Sequence, residues 1–104
     1  MGWIYVVVAG FLEVAWSLAL KASRGFTVPA ASAAAVVLMI ASFLLLAQGI
    51  RTLPLGTAYA VWTGIGVVGA GLAGIVFFGE SVSPMRLACI ALIAAGIIGL
   101  RLAN

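Results

Sequence analysis

The sequence predicts an all-α membrane protein with four transmembrane helices in a single domain, residues 1–104. Of its 104 residues, 66% are hydrophobic and 7% are charged, against about 45–50% and about 25% in soluble domains. A chain this short cannot bury so much apolar surface within itself, whereas a bilayer accommodates it. The apolar residues also form four runs of roughly 20 residues, the length with which a helix crosses the hydrocarbon core.

The four apolar runs set the bounds of the predicted helices, at about 3–20, 28–50, 55–78 and 85–102. Each run is uniformly apolar rather than alternating, which argues against transmembrane β-strands. The connections are short and carry residues that end or begin helices. Gly25 is suited to ending the first helix, Pro54 to beginning the third, and Ser83 with Pro84 to capping the fourth. No loop can hold a soluble domain, so the function is expected inside the membrane.

The charged residues are few, and they exclude several classes of function. Five basic and two acidic residues give a formal net charge of +3. The cations stand singly between apolar runs, so no basic patch is available for nucleic acid; we expect them to anchor helix ends at lipid headgroups. The chain has no His and one cysteine. We therefore expect no metal site, no cofactor, no catalytic triad and no enzyme activity.

The distribution of cations between the two membrane faces predicts dual topology. Alternate crossings place Lys21, Arg24 and Arg86 on one face, and Arg51, Arg101 and the α-amino group on the other. Lys and Arg near helix ends set orientation, and this balance gives no preference. We expect oppositely oriented copies to pair as an antiparallel homodimer, which supplies an inverted repeat in trans. The alternatives are one orientation fixed by other factors, or a sister chain as partner.

Glu13 is the candidate functional residue, because it lies near the middle of the first predicted helix. A charge at the bilayer centre costs at least about 2.5–3.5 kcal/mol, and it normally faces a bundle interior or a wet cavity. Either the carboxyl is merely tolerated in its protonated form, or it binds protons and cations; we favour the second. In a dimer, two copies of Glu13 would form a pair that titrates jointly.

Further residues complete a predicted cation pocket around this acid. Gly10, Trp16 and Ser17 share the helical face of Glu13, where Gly10 is expected to leave room and Trp16 to offer an indole N–H and a π face. The third helix carries Tyr59, Trp62 and Thr63 at i, i+3 and i+4. The second helix carries Ser42 near mid-depth, where we expect it to hydrogen-bond a carboxylate.

Small residues on the third and fourth predicted helices indicate close helix packing. Residues 64–69 match G-x-G-x-x-G, but within a membrane helix this pattern does not indicate a dinucleotide site. Glycines there allow close contact and bending. On the fourth helix, small residues recur at spacings of three or four: Ala88, Ala91, Ala95 and Gly99. We expect this seam at the dimer interface.

The chain resembles the small multidrug resistance family in three segments that together are specific: GFLEVAW (10–16), KASRGFT (21–27) and PLGTAYAVWTG (54–64). The resemblance implies an antiparallel, dual-topology homodimer in the inner membrane of a bacterium, exchanging protons for cations. It places the essential glutamate of the family on Glu13. It places the binding-site aromatics on Tyr59 and Trp62, and the helix-two serine on Ser42.

The residue three positions after the glutamate separates the two branches of that family. Here it is Trp16, similar to the branch that exports guanidinium; the drug-exporting branch has a small residue there. The resemblance therefore implies proton-coupled guanidinium export by alternating access, with small substituted guanidinium or quaternary ammonium cations as further candidates. Trp16 and Ser42 are expected to hold the carboxylates by hydrogen bonds. The alternatives are a polyaromatic drug exporter of the same family and, outside it, a small channel or non-transporting assembly subunit.

Overall fold

The computed structural model describes residues 2–103, which form four helices joined by short loops. The helices are α1 (Gly2–Ala22), α2 (Pro29–Gly49), α3 (Leu55–Phe78) and α4 (Pro84–Ala103). Each has the length and hydropathy needed to cross a membrane, and each bound lies within two residues of its predicted position. The α-amino group counted in the charge balance belongs to Met1, which lies outside the described residues.

Three of the helices form a bundle, and the fourth lies at its side. α1 packs against both α2 and α3, whereas the backbone of α4 approaches that of α3 alone among the described helices. The buried cluster belongs to α1 and α3, and consists of Val6, Ala9, Ala58, Val61 and Trp62. No described residue of α4 is buried. Most of the α4 surface is therefore available to lipid or to another protein.

Glycines on α3 bring it close to its neighbours, as the sequence predicts. A Cβ at Gly69 would overlap Val14 of α1, and a Cβ at Gly64 would lie 2.9 Å from Ile97 of α4. Between apolar helices in lipid, association depends on such close packing because lipid is as apolar as the side chains. The glycine-rich stretch is therefore a two-sided packing surface inside one continuous helix.

The cap at the start of α4 follows its prediction, but the cap at the end of α1 does not. Pro84 is the first residue of α4, and the Arg86 N–H donates to Ser83 Oγ at 3.1 Å. α1 ends at Ala22, three residues before Gly25. Ser23 replaces the predicted glycine cap: its Oγ accepts the Phe26 N–H at 3.1 Å. Arg24, Gly25 and Phe26 all have positive φ, at 50°, 71° and 67°, so Gly25 shapes the loop beyond the helix.

One acidic residue ties the ends of three helices together at one membrane face. Glu80 accepts a hydrogen bond from Arg86 Nη2 at 2.7 Å and another from Lys21 Nζ at 3.2 Å. Lys21 also lies 5.4 Å from the centre of the Phe78 ring. The hydrogen bonds from Arg86 and Lys21 hold the pKa of the Glu80 carboxyl below its ordinary value. These two cations, expected to face lipid headgroups, are thus paired within the chain.

We predict that Glu80→Gln loosens the connection between α3 and α4. With a neutral amide, the charge-assisted hydrogen bonds to Arg86 and Lys21 are weakened. Amide hydrogen exchange of residues 79–86 should be faster than in the wild type at neutral pH. Because the pKa of Glu80 is lowered, the carboxylate keeps these contacts at every pH above the ordinary carboxyl pKa. The contacts are lost only as the pH falls through the lowered pKa. The difference between wild type and variant should therefore vanish in acid.

Arg51→Gln is the matched control, since among the described residues the Arg51 side chain donates only to Gln48. It should leave the exchange of residues 79–86 unchanged. Equal exchange in the wild type and Glu80→Gln at neutral pH would contradict this account of the connection.

Candidate functional site

Glu13 lies in the contact between α1 and α3, where its carboxylate faces a glycine. A Cβ at Gly66 would overlap Oε1 and Cδ of Glu13, so only glycine leaves space for this side chain. Glu13 itself is half-buried. Its Oε1 atom is fully buried and has no hydrogen-bond partner within residues 2–103. A buried acceptor left in this state is costly, and more so when it is charged.

Trp16 presents an unpartnered donor one turn along the same helix. Its Nε1 is also buried and finds no acceptor within the described chain. Residues three apart on a helix lie on one face, so an unpartnered donor and an unpartnered acceptor share this face of α1. Within residues 2–103 this donor and this acceptor stay unsatisfied. A ligand, a proton or a second copy of the chain would satisfy them.

Ser42 links the three helices of the bundle, but it does not reach the carboxylate. Trp62 Nε1 donates to Ser42 Oγ at 2.9 Å, and Ser42 Oγ donates to the Ala9 carbonyl at 2.7 Å. Because a hydroxyl has a single proton, the expected bond from Ser42 to Glu13 is absent from this structure. Ser42 acts instead on the backbone turn that carries Glu13, since the Ala9 carbonyl precedes Glu13 by four residues.

An aromatic cluster surrounds the Trp62 indole. The Tyr59 ring lies 5.7 Å from the Trp62 ring, and the Phe43 ring lies 5.5 Å from it in an edge-on arrangement. Trp62 is 6% exposed and Tyr59 is 55% exposed. The cluster borders a cleft of about 380 Å³ between α2 and α3. Sequence reasoning missed Phe43, although its place directly after Ser42 was an available signal.

The supporting residues have roles that differ from those expected. A Cβ at Gly10 would lie 2.8 Å from Ile65, so this glycine admits α3 rather than leaving room for a cation. Ser17 Oγ donates to the Val14 carbonyl at 2.7 Å, and Thr63 Oγ1 donates to the Tyr59 carbonyl at 2.8 Å. Both hydroxyls therefore donate within their own helix. The space beside the carboxylate comes from Gly66, which the sequence analysis assigned to close helix packing and not to Glu13.

The predicted site residues thus form two groups. Glu13 Oε1 and Trp16 Nε1 have no hydrogen-bond partner within the described part of the chain, whereas Ser42, Tyr59 and Trp62 form a connected cluster on α2 and α3. No hydrogen bond joins the two groups directly within residues 2–103, and the Ala9 carbonyl is the link between them. The arrangement offers an acid and an indole to a cation. Across the same part of the chain, no group of three or more metal-ligating side chains is present.

Similarity to known proteins extends over nearly the whole chain. Residues 1–93 match the family described as Small Multidrug Resistance protein. The chain belongs to the small multidrug resistance family. It is 56% identical over 104 residues to a guanidinium exporter of Escherichia coli strain K12. It is 53% identical to the guanidinium exporters of Citrobacter freundii and Salmonella typhimurium. Each alignment covers 100% of this chain and 99% of the relative.

Family membership and the four spans define the setting of this site. The chain is a multi-pass protein of the bacterial inner membrane. The relatives named above are transporters, in keeping with the expectation that the chain is not an enzyme. Glu13 lies near the middle of α1, a helix of 21 residues that crosses this membrane.

We predict that Gly66→Ala destabilises the protein by about 1–3 kcal/mol, the usual range for overpacking a close contact. The new Cβ would occupy the space of the Glu13 carboxylate and force α1 and α3 apart. The measurement is the free energy of unfolding in a denaturing detergent, followed by tryptophan fluorescence. Gly56→Ala is the control on the same helix, because a Cβ there meets nothing within 4 Å. Equal effects of the two substitutions would contradict the packing of Glu13 on Gly66.

Proposed function

We propose that the chain exports guanidinium from the cytoplasm in exchange for protons, as an antiparallel homodimer that works by alternating access. The observation that carries the proposal is the buried Glu13 Oε1, unpartnered within residues 2–103. It occurs in a chain 56% identical to a guanidinium exporter over its full length. The sequence identity supports guanidinium as the substrate, and the Glu13 carboxylate supports binding of a cation or a proton at this site.

The chemistry of the carboxylate suits both of the ions to be exchanged. Guanidinium is planar and presents paired N–H donors, which match the two oxygens of a carboxylate in a bidentate arrangement. A proton neutralises the same group, so the two ligands compete. An empty, charged carboxylate at mid-membrane is unfavourable, which opposes return of the unloaded site. This competition for one site is sufficient to couple guanidinium export to proton import.

Trp16 would select which cation binds beside Glu13. Trp16 lies one turn from Glu13, where its indole face can stack against a small planar cation. Its N–H, without an acceptor in the described chain, can donate to a carboxylate of the paired site. A bulky polyaromatic cation would have to displace this indole. Small substituted guanidinium and quaternary ammonium cations are further candidate substrates, because they would not have to displace the indole.

Pairing of two copies would supply the second carboxylate. The seam of small residues on α4 is exposed along its length and consists of Ala88, Ala91, Ala95 and Gly99. A Cβ at Gly99 would meet nothing within 4 Å. Small, exposed residues at this spacing let a second helix approach closely, and the balanced cations favour opposite orientations. Two carboxylates then exchange two protons for one guanidinium, so transport moves net charge.

We predict that Glu13→Gln abolishes exchange of guanidinium for protons, with a loss of at least about a hundredfold. Removing one partner of a buried ion pair typically costs about 3–5 kcal/mol, and an amide binds no proton at neutral pH. The measurement is guanidinium-driven proton movement in proteoliposomes, with the transported charge recorded as a current. Glu80→Gln removes the other acid of the chain and should retain exchange. Wild-type exchange by Glu13→Gln would refute the mechanism.

We predict that Trp16→Gly weakens guanidinium binding and admits larger aromatic cations. The substitution removes both the stacking face and the bulk that narrows the site. Binding of guanidinium and of a bulky tetraarylphosphonium should be compared by calorimetry in wild type and variant. Tight binding of the bulky cation by the wild type would instead favour the polyaromatic drug exporter.

A further inference from the structure

An apolar cleft runs between α1 and α4, with α3 as its floor. Its middle part has a volume of about 400 Å³ and is lined only by apolar residues. Each helix contributes to the walls: Phe11 and Val14 from α1, Val68 and Leu72 from α3, and Ala94 and Ile98 from α4. The cleft exists because α4 packs on α3 without reaching α1 at the level of the backbone.

The cleft continues toward one membrane face and ends at a cation. A second cavity of about 320 Å³ shares Ile97 and Ile98 with the first and extends to Trp3 and Arg101. The Arg101 guanidinium lies 5.1 Å from the centre of the Trp3 ring. These residues belong to the first turn of α1 and the last turn of α4, where Trp and Arg mark the membrane–water interface. The two cavities together form one trough, which is cationic at the membrane–water interface and apolar within the span.

Arg101 differs from the other cations at helix ends. Lys21 and Arg86 pair with Glu80, and Arg51 donates to Gln48. Within residues 2–103, the Arg101 side chain forms no ion pair and no hydrogen bond; its contact is the Trp3 ring. A guanidinium presents a fork of N–H donors that matches phosphate. The contact with the Trp3 ring holds the guanidinium at the end of the cleft, and its N–H donors remain available.

We propose that the α1–α4 cleft binds one anionic phospholipid, with its phosphate at Arg101 and an acyl chain along the trough. From Arg101 to Ala94 the trough runs about 10 Å, well within one leaflet of the hydrocarbon core, about 15 Å deep. An acyl chain in the trough fills space that no side chain fills, which gains dispersion contacts along its length. The phosphate neutralises Arg101. The other cation of α4, Arg86, already pairs with Glu80.

A second copy of the chain fits this cleft less well than a lipid. The small-residue seam of α4 lies roughly a third of a turn away from the cleft-facing residues, at 100° per residue. A helix packed on that seam leaves the cleft open. A helix with its side chains is also about 10–12 Å across, whereas an acyl chain is a single row of methylene groups that can lie along an apolar cavity of about 400 Å³. The lipid would fill the space between α1 and α4, whose backbones do not approach each other.

The test measures phospholipid retained by the purified protein. Native mass spectrometry in mild detergent, with phosphatidylglycerol added, should show one lipid bound per chain. Arg101→Gln should lower the retained lipid at least about tenfold, as loss of a hydrogen bond to a charged group implies. Arg24→Gln removes the same charge from an exposed loop and should leave retention unchanged. Equal loss in the two variants would overturn the proposal, because general charge attraction would then suffice.

A second pair of variants tests the apolar part of the trough. Leu72→Trp fills the cleft from α3 and should lower retention; Val76→Trp lies one turn further along the helix, outside the lining, and should not. Excess glycerol 3-phosphate should fail to displace the lipid, and displacement would overturn the acyl-chain contact. If Leu72→Trp reduces the dimer fraction while retained lipid stays unchanged, the cleft is a protein interface and the proposal is wrong. None of these measurements depends on guanidinium transport.

Discussion

A carboxylate held at mid-membrane, with one oxygen buried and unpartnered within its own chain, constrains the rest of this structure. The Glu13 side chain fits between α1 and α3 only because Gly66 has no side chain at the point of contact. Its Oε1 receives no hydrogen bond from residues 2–103. In hydrocarbon such a group must gain a proton, a cation or a second chain. Each of these three belongs to the proposed transport cycle.

The remainder of the bundle keeps this group in position while leaving it free to react. Trp62, Ser42 and the Ala9 carbonyl form a buried hydrogen-bonded relay across α3, α2 and α1. A fully satisfied polar network inside a low-dielectric medium rigidifies what it connects. The relay ends on the helical turn that carries Glu13, so it fixes the backbone without occupying the carboxylate. Trp16 is not part of this relay, because its N–H has no hydrogen-bond partner in the described chain.

The sequence predicted the helices well because their signals are local. Apolar runs of membrane length fixed four spans, and Ser83 with Pro84 fixed the start of α4. The partners of side chains depend instead on how the helices rotate and approach, which no single run encodes. The hydroxyl of Ser42 therefore met Ala9 rather than Glu13, and Gly10 met Ile65. The cap of α1 also differed, because the Ser23 side chain caps the turn that Gly25 was expected to cap.

The most direct test of the central claim is proton release from the purified protein when guanidinium is added in weakly buffered solution. If both ligands compete for the same pair of carboxylates, binding of one guanidinium should release about two protons from the protonated dimer. The same addition to Glu13→Gln should release none. Guanidinium binding without proton release, or equal release from Glu13→Gln, would contradict the assignment of exchange to this carboxylate.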